Sequence, residues 1–233
     1  MECGSKDLFS TPVFTSKVQN IYLIERAAYL ALEFHKNSKN PLLVSEKWND
    51  QVRSQDKQEK DKFGTTSFGD NQKLFESKEW VPIAEAILDC VNEMLFSAYG
   101  EFSHTPILQT MWLSVYPDGG FVPEHVHANS IFSGVFYANA KPNAGNLIFS
   151  DPAWITKTMF QVNNMNKSFF KTKHEMPVET GKVILFPGWL PHSSQPNNSG
   201  ENRIIIGFNV GFGTNIKQVS DNIRSAQPKD LRI

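Results

Sequence analysis

The sequence predicts a mainly β fold of the sandwich or jelly-roll type, with helices packed on it. Three observations carry that expectation. After residue 105 the chain becomes a series of short runs rich in Val, Ile, Phe and Tyr, separated by turn clusters, with no helical segment between them. Before that point, two segments repeat apolar residues at helical spacing. The 233 residues include 18 Phe and 5 Trp, flat rings that suit the space between sheet layers.

Taken in order, residues 8–14 read as a short extended segment, confined to a sheet edge by Pro12. Residues 20–36 read as a helix, with Ile21, Ile24, Ala28, Ala31 and Leu32 as its apolar stripe. Residues 44–78 are polar and rich in Lys, Asp, Gln and Ser. They form an insert, either simply solvated or a lid, with Trp48 and Phe63 as anchor points. Residues 81–98 are the second helix. Pro82 sits in its first turn, Ile87, Val91, Met94, Leu95 and Ala98 recur at helical spacing, and Gly100 stops it.

Strands are expected over 107–116, 130–138, 146–149, 168–173, 182–186 and 203–212. Pro117–Gly120, Lys141–Gly145 and Gln195–Gly200 are turn clusters between them. The expected organisation is a support region over 1–106 containing the 44–78 insert, a β core over 107–214 and a polar tail over 215–233.

Composition excludes several classes. Net charge is −1, so there is no nucleic-acid footprint. No apolar run reaches the length of a membrane span, and the first 30 residues lack a secretory signal pattern. Two cysteines, Cys3 and Cys90, make no disulfide framework. Cys90 falls on an apolar helical face. A reducing, cytoplasmic compartment follows as the expectation.

Two segments carry chemistry. The first runs Gly119-Gly120-Phe121-Val122-Pro123-Glu124-His125-Val126-His127, and the second runs from Gly181 through Pro187 and Gly188 to His192. Residues i and i+2 of a strand share a face, so His125 and His127 converge on one point if that segment is extended. His192 follows a strand that a jelly roll lays beside an earlier one. Imidazole suits Fe, Zn, Cu and Ni alike. His35, His104 and His174 lack such partners and read as surface or packing residues.

Gly-x5-His-x-His followed by Gly-x5-Pro-x4-His resembles the paired motifs of the double-stranded β-helix, shared by cupins and 2-oxoglutarate/Fe(II) oxygenases. The string from Tyr116 to His125 is similar to the approach to the first metal ligand in prolyl-4-hydroxylase-like enzymes. Ser133–Tyr137, Gly145–Pro152 and the Leu8–Val13 opening resemble a 2OG-Fe(II) oxygenase family of bacterial and phage proteins. That likeness implies a double-stranded β-helix core and a dioxygenase using Fe(II) and 2-oxoglutarate. It further implies hydroxylation of a small-molecule or peptide substrate, with succinate and carbon dioxide as co-products. In such enzymes an Arg or Lys near the start of the last core strand binds the distal carboxylate, which here implies Arg203. A planar guanidinium grips a carboxylate with two hydrogen bonds. By strand alternation Ile205, Gly207 and Asn209 share its face, with Gly207 leaving room for ligand and Asn209 a hydrogen-bonding partner. Trp112, Ser114 and Tyr116 share a face of an earlier strand, from which Tyr116 offers its hydroxyl. Phe121, Phe132, Phe136 and Phe186 are candidates for a water-excluding lining, although most of these rings read as core.

The pattern departs from the family at one place. His127 stands where these oxygenases usually carry Asp or Glu. Three readings are open: three histidines, a carboxylate drawn from Glu124, Asp118 or Asp151, or a small anion. The same-face geometry favours three histidines, and alternation turns Glu124 away from His125. A cupin-type metal enzyme that does not use 2-oxoglutarate is the alternative reading. Cupins often place Glu four or five residues after His-x-His, where this chain has Ile131 and Phe132.

Overall fold

The computed structural model describes residues 10–38, 64–101, 104–154 and 171–213. Helix α1 spans Ile21–Asn37, and the side chain of its N-cap Asn20 accepts a hydrogen bond from the Tyr22 N–H at 3.1 Å. It buries Ile24, Ala27 and Ala31, whereas Ile21 and Leu32 are exposed. At 100° per residue those two lie about 60–80° round the helix from Ile24, on the flank of the stripe. Helix α2 spans Val81–Tyr99, with Pro82 in its first turn and Gly100 closing it at φ 75°. It buries Ile83, Ala84, Ile87, Cys90, Val91, Met94 and Leu95, while Ala98 is exposed in the last turn.

The strands are β1 (Phe14–Lys17), β2 (Thr65–Thr66), β3 (Thr105–Tyr116), β4 (Phe132–Asn139), β5 (Leu147–Ser150), β6 (Lys173–Met176), β7 (Lys182–Pro187), β8 (His192–Ser194) and β9 (Arg203–Gly213). They form a six-stranded sheet, β1-β7-β4-β9-β3-β2, and a three-stranded sheet, β6-β5-β8. Every paired strand is antiparallel. The two sheets make the double-stranded β-helix, and β1 and β2 extend its larger sheet from before residue 106.

Strand β8 was not among the expected strands, being only three residues long, and three other elements differ from expectation. Strand β1 starts at Phe14, because Pro12 has no N–H to pair with β7. Residues 8 and 9 lie outside the described residues. Strand β6 falls at Lys173–Met176 rather than 168–173, since it pairs register-for-register with the four residues of β5; residues 168–170 are also outside the description. In the insert, residues 64–78 are tied down. Strand β2 pairs with Val115 and Ser114, and a 3-10 turn at Leu74–Glu76 buries Leu74. Residues 44–63, with Trp48 and Phe63, the tail over 215–233 and Cys3 lie outside the described residues.

Alternation then divides the larger sheet into two faces. Met111, Leu113, Val115, Phe136, Ala138, Val183, Leu185, Ile204, Ile206, Phe208 and Val210 join the helices in one core. Val135, Tyr137, Ile184 and Phe186 turn the other way and meet Leu147, Phe149 and Leu190 in a second core between the sheets. Trp112, Ser114, Tyr116, Arg203, Ile205, Gly207 and Asn209 share a cavity on that inner side.

Gly134 marks how close the helix-side packing is. A methyl group there would lie 2.2 Å from Phe208 Cζ and 2.8 Å from the Ile184 carbonyl oxygen. Gly134→Ala is expected to destabilise the protein by about 1–3 kcal/mol, the usual range for overpacking. Urea unfolding reads this as a lowered midpoint. Gly69→Ala, whose methyl meets nothing within 4 Å, leaves the midpoint in place.

Candidate metal centre

Backbone pairing brings the two histidine segments together. His125 and His192 form an isolated antiparallel bridge, each N–H donating to the other's carbonyl at 3.0 Å. The His127 N–H donates to the Gly188 carbonyl at 2.8 Å, and the Ser194 N–H to that of Val122 at 3.0 Å. Strand alternation alone does not explain the convergence, because residues 121–130 form no strand beyond this bridge. Gly188 permits the approach: a Cβ there would stand 2.4 Å from the Ser130 carbonyl oxygen.

The three imidazoles meet at one point. Their ligand atoms all lie within 4.8 Å of one another, the one such cluster among the described residues. Ring centroids are 4.3 Å apart for His125 and His192, 5.0 Å for His125 and His127, and 5.1 Å for His127 and His192. His125 Nδ1 lies 2.9 Å from the Pro123 carbonyl oxygen, and His192 Nδ1 2.9 Å from that of Leu190. A carbonyl only accepts, so both Nδ1 atoms carry the proton and both Nε2 atoms present a lone pair. His127 Nε2 lies 3.3 Å from His192 Nε2, so a proton or a shared cation must relieve the contact.

Electrostatics hold two of the rings neutral. Burial, and secondarily His125, pushes His192 down to about 3 and His127 down to about 4. Neutral imidazole is the form a metal takes. Around the cluster, Trp112 stacks on His127 at 5.7 Å, and Phe186 lies 4.5 Å from His192. The alternative carboxylates are directed elsewhere. Glu124 accepts from the Ser150 hydroxyl, Asp118 from the Gly200 N–H at 2.9 Å, and Asp151 from the Ala153 N–H at 2.8 Å. The donor set therefore fits a borderline divalent metal.

Arg203 is 2% exposed and lines the same cavity. Its terminal nitrogens donate to the carbonyls of Ala144 (2.6 Å), Gln195 (3.0 Å) and Gly120 (3.3 Å) and to the Ser194 hydroxyl (2.9 Å). All four acceptors are neutral, and among the described residues no carboxylate pairs with it. Its positive charge is uncompensated, and burial lowers its pKa. The guanidinium lies 5.0 Å over the Tyr116 ring. Tyr137 is the second buried phenol beside it, pushed up by burial.

The other expected residues divide. Ser114 donates to Thr66 Oγ1 at 2.8 Å. Asn209 accepts from Ser133 at 2.7 Å and donates to Thr110 at 2.8 Å. Gly207 does not leave room for ligand: Trp112 lies across it, 2.4 Å from where a Cβ would be. Phe121 and Phe186 line the cavity, whereas Phe132 and Phe136 pack towards the helices. His35 meets Thr65 Oγ1 at 3.0 Å, and neither it, His104 nor His174 joins the cluster.

Sequence reasoning missed Asn197, which is wholly buried. Its Nδ2 donates to the carbonyls of Tyr116 (3.0 Å), Pro117 (3.2 Å) and Glu201 (2.7 Å), fixing the approach to the first histidines. It also missed Tyr137, Phe68, Gln72 and Gln109 on the cavity wall. No local pattern in the sequence marks them.

The lowered histidine pKa values fix a sign. Below about pH 6.5 the unfolded chain protonates these rings and the folded chain does not. The metal-free protein is expected to lose stability as pH falls from about 6.5 towards 4. The slope is up to about 1.4 kcal/mol per pH unit for His192 and less for half-open His127. Urea unfolding across that range checks it, with the slope flattened in His192→Gln.

Residues 110–209, from β3 into β9, match the family model described as "Putative 2OG-Fe(II) oxygenase". No curated protein matches the chain. A Pseudomonas putida prolyl-4-hydroxylase is 15% identical with a TM-score of 0.51, covering 86% of this chain and 93% of that one. The 2-oxoglutarate-dependent epimerase SnoN from nogalamycin biosynthesis is 10% identical with a TM-score of 0.58, covering 86% and 78%. HygX from Streptomyces hygroscopicus, with nickel and 2-oxoglutarate bound, is 12% identical with a TM-score of 0.52, covering 86% and 83%. At these identities the solved structures establish the fold. The family match takes in all three histidines and Arg203, so the chain from β3 to β9 is similar to the 2OG-Fe(II) oxygenases.

Proposed function

We propose that His125, His127 and His192 hold Fe(II), that Arg203 and Tyr116 bind 2-oxoglutarate, and that the protein hydroxylates a C–H bond of its substrate with succinate and carbon dioxide as co-products. One observation carries this reading: a single cavity of about 1060 Å³ joins three converging imidazoles to a buried, uncompensated guanidinium.

Three neutral imidazoles leave a divalent ion its full charge. Arg203 would hold one end of a dianionic cosubstrate, whose charge would offset that of the metal. Bound iron and 2-oxoglutarate supply the oxidising chemistry. The chain supplies binding, orientation and dryness. The Pro123 and Leu190 carbonyls hold two rings in the ligating tautomer, and Trp112 and Phe186 exclude water. Ser114 and Asn209 act at one remove, holding the cavity wall through Thr66, Ser133 and Thr110.

No helix among the described residues is long and apolar enough to cross a membrane. A reducing cytoplasm suits an Fe(II) centre and the free, buried Cys90 thiol.

Titrating 2-oxoglutarate into the anaerobic Fe(II) protein is expected to raise a visible metal-to-ligand absorption band. Arg203→Ala lowers cosubstrate affinity by about a hundredfold or more while iron uptake persists. His192→Ala abolishes iron uptake. Iron stoichiometry unchanged in His192→Ala would refute the ligand assignment. Iron uptake with no band in the wild type would favour a cupin-type enzyme.

A further inference from the structure

The carbonyls that fix Arg203 come from three separate turns. Gly120 belongs to the Pro117–Gly120 turn, Ala144 to the Lys141–Gly145 turn and Gln195 to the Gln195–Gly200 turn. The remaining acceptor, Ser194, ends β8. A guanidinium held by three turns keeps one orientation only where the turns are tied to one another.

Asn197 ties the first turn to the third. Its backbone N–H donates to the Gly120 carbonyl at 2.9 Å, and its own carbonyl accepts from the Gly119 N–H at 2.5 Å. Its Nδ2 donates to the carbonyls of Tyr116, Pro117 and Glu201. Carbonyls only accept, so the amide nitrogen must face them, and its two N–H groups are shared among three acceptors. Its Oδ1 accepts from the Ser199 hydroxyl at 2.7 Å and the Ser199 N–H at 3.3 Å. The second and third turns are joined by other groups. The Asn198 N–H donates to the Asn143 carbonyl and the Gln195 N–H to that of Asn146, each at 2.9 Å.

Two of these bonds lead directly to Arg203. The Gly120 carbonyl receives both the Asn197 N–H and Arg203 Nη2. Glu201, held by the Asn197 carboxamide, lies two positions before Arg203, where the chain enters β9. Beyond Gly120 the chain passes to different bonds. Ser194 holds Val122 through both its N–H and its carbonyl, and the pairings of His125 with His192 and of His127 with Gly188 do not involve Asn197. The Asn197 carboxamide therefore acts on the guanidinium end of the cavity and not on the histidine end.

We propose that Asn197 is a positioning residue for anion binding at Arg203: its carboxamide locks the Gly120 and Gln195 turns together and so presents the guanidinium in one orientation to a carboxylate. That this carboxylate is the distal one of 2-oxoglutarate rests on the oxygenase reading; the lock itself does not. Removing the carboxamide takes a donor from the Tyr116 and Pro117 carbonyls and frees one turn relative to the other. Part of the ordering of Arg203 must then be supplied on binding.

The anaerobic Fe(II) protein is titrated with 2-oxoglutarate and with pyruvate, which keeps the 2-oxo acid end and lacks the distal carboxylate. Asn197→Ala is expected to weaken 2-oxoglutarate binding about tenfold, the effect of losing one donor inside a buried network, with pyruvate affinity and iron stoichiometry unchanged. Ser199→Ala releases the Oδ1 end from a half-exposed position and acts in the same direction, about threefold. In an Arg203→Ala background both effects disappear, because they act through the guanidinium. Equal weakening of 2-oxoglutarate and pyruvate, or 2-oxoglutarate affinity unchanged in Asn197→Ala, overturns the proposal and leaves the oxygenase reading. If Asn197→Ala yields no folded protein, Ser199→Ala decides by the same two criteria. If the wild type shows no 2-oxoglutarate band, the oxygenase reading fails, and glutarate is titrated calorimetrically into the metal-free protein. Glutarate binding that falls about tenfold in Asn197→Ala keeps the proposal. Glutarate that does not bind the wild type, or binds both proteins equally, overturns it.

Discussion

The exchange of backbone hydrogen bonds between His125 and His192 is the constraint on which the site depends. It joins the loop after β3 to the first residue of β8 and brings two imidazoles to a centroid separation of 4.3 Å. The third ring follows because the His127 N–H is held by the carbonyl of Gly188, the first residue after β7 ends at Pro187. Each donation also satisfies a backbone group that a loop would otherwise leave to water. The histidine cluster is thus built by backbone pairing first, and the side chains inherit their positions from it.

Burial then sets the chemistry. The surroundings that hold His127 and His192 neutral also enclose Arg203 without a counter-charge. Low dielectric penalises a lone buried cation, and the three carbonyls and one hydroxyl around Arg203 offset only part of that penalty. An anion entering here therefore meets an unbalanced charge already desolvated. The four polar contacts also fix the guanidinium before ligand arrives, so little side-chain entropy remains to be lost on binding.

Much of this architecture was legible because it depends on period. Alternation in β3 and β9 put Trp112, Ser114 and Tyr116 on one face and Arg203, Gly207 and Asn209 on another, and register then brought Tyr116 opposite Arg203 and Trp112 opposite Gly207. Occupancy was not legible. Gly207 looked like space for a ligand, but pairing with Trp112 fills it with an indole. Phe136 fits the core reading of most of the candidate phenylalanine rings, since its parity turns it to the helices. Asn197 sat inside a turn cluster whose composition signals only a turn, and its three carbonyl contacts come from long-range packing. The 64–78 segment was read as polar excursion. Its anchors, Leu74 and the Thr65–Thr66 pairing, are too short to show a period.

Trp112 explains why histidine suits position 127. The indole lies nearly parallel to the His127 ring, with 26° between the planes, and is held there by Gly207 behind it. An imidazole offers a flat, weakly polar face to that indole and still directs a nitrogen to the cluster. A carboxylate would set a charged, strongly hydrated group against the same apolar face, and losing that water would raise its energy. Asn209 stands on the imidazole's side and opposes part of the lowering, but burial outweighs it and leaves the ring neutral. The departure from the family's usual carboxylate is therefore matched by its surroundings. Gly207, Trp112 and His127 form a packed stack, and on the proposed reading the charge of a metal at the three rings would be balanced by an anion held at Arg203.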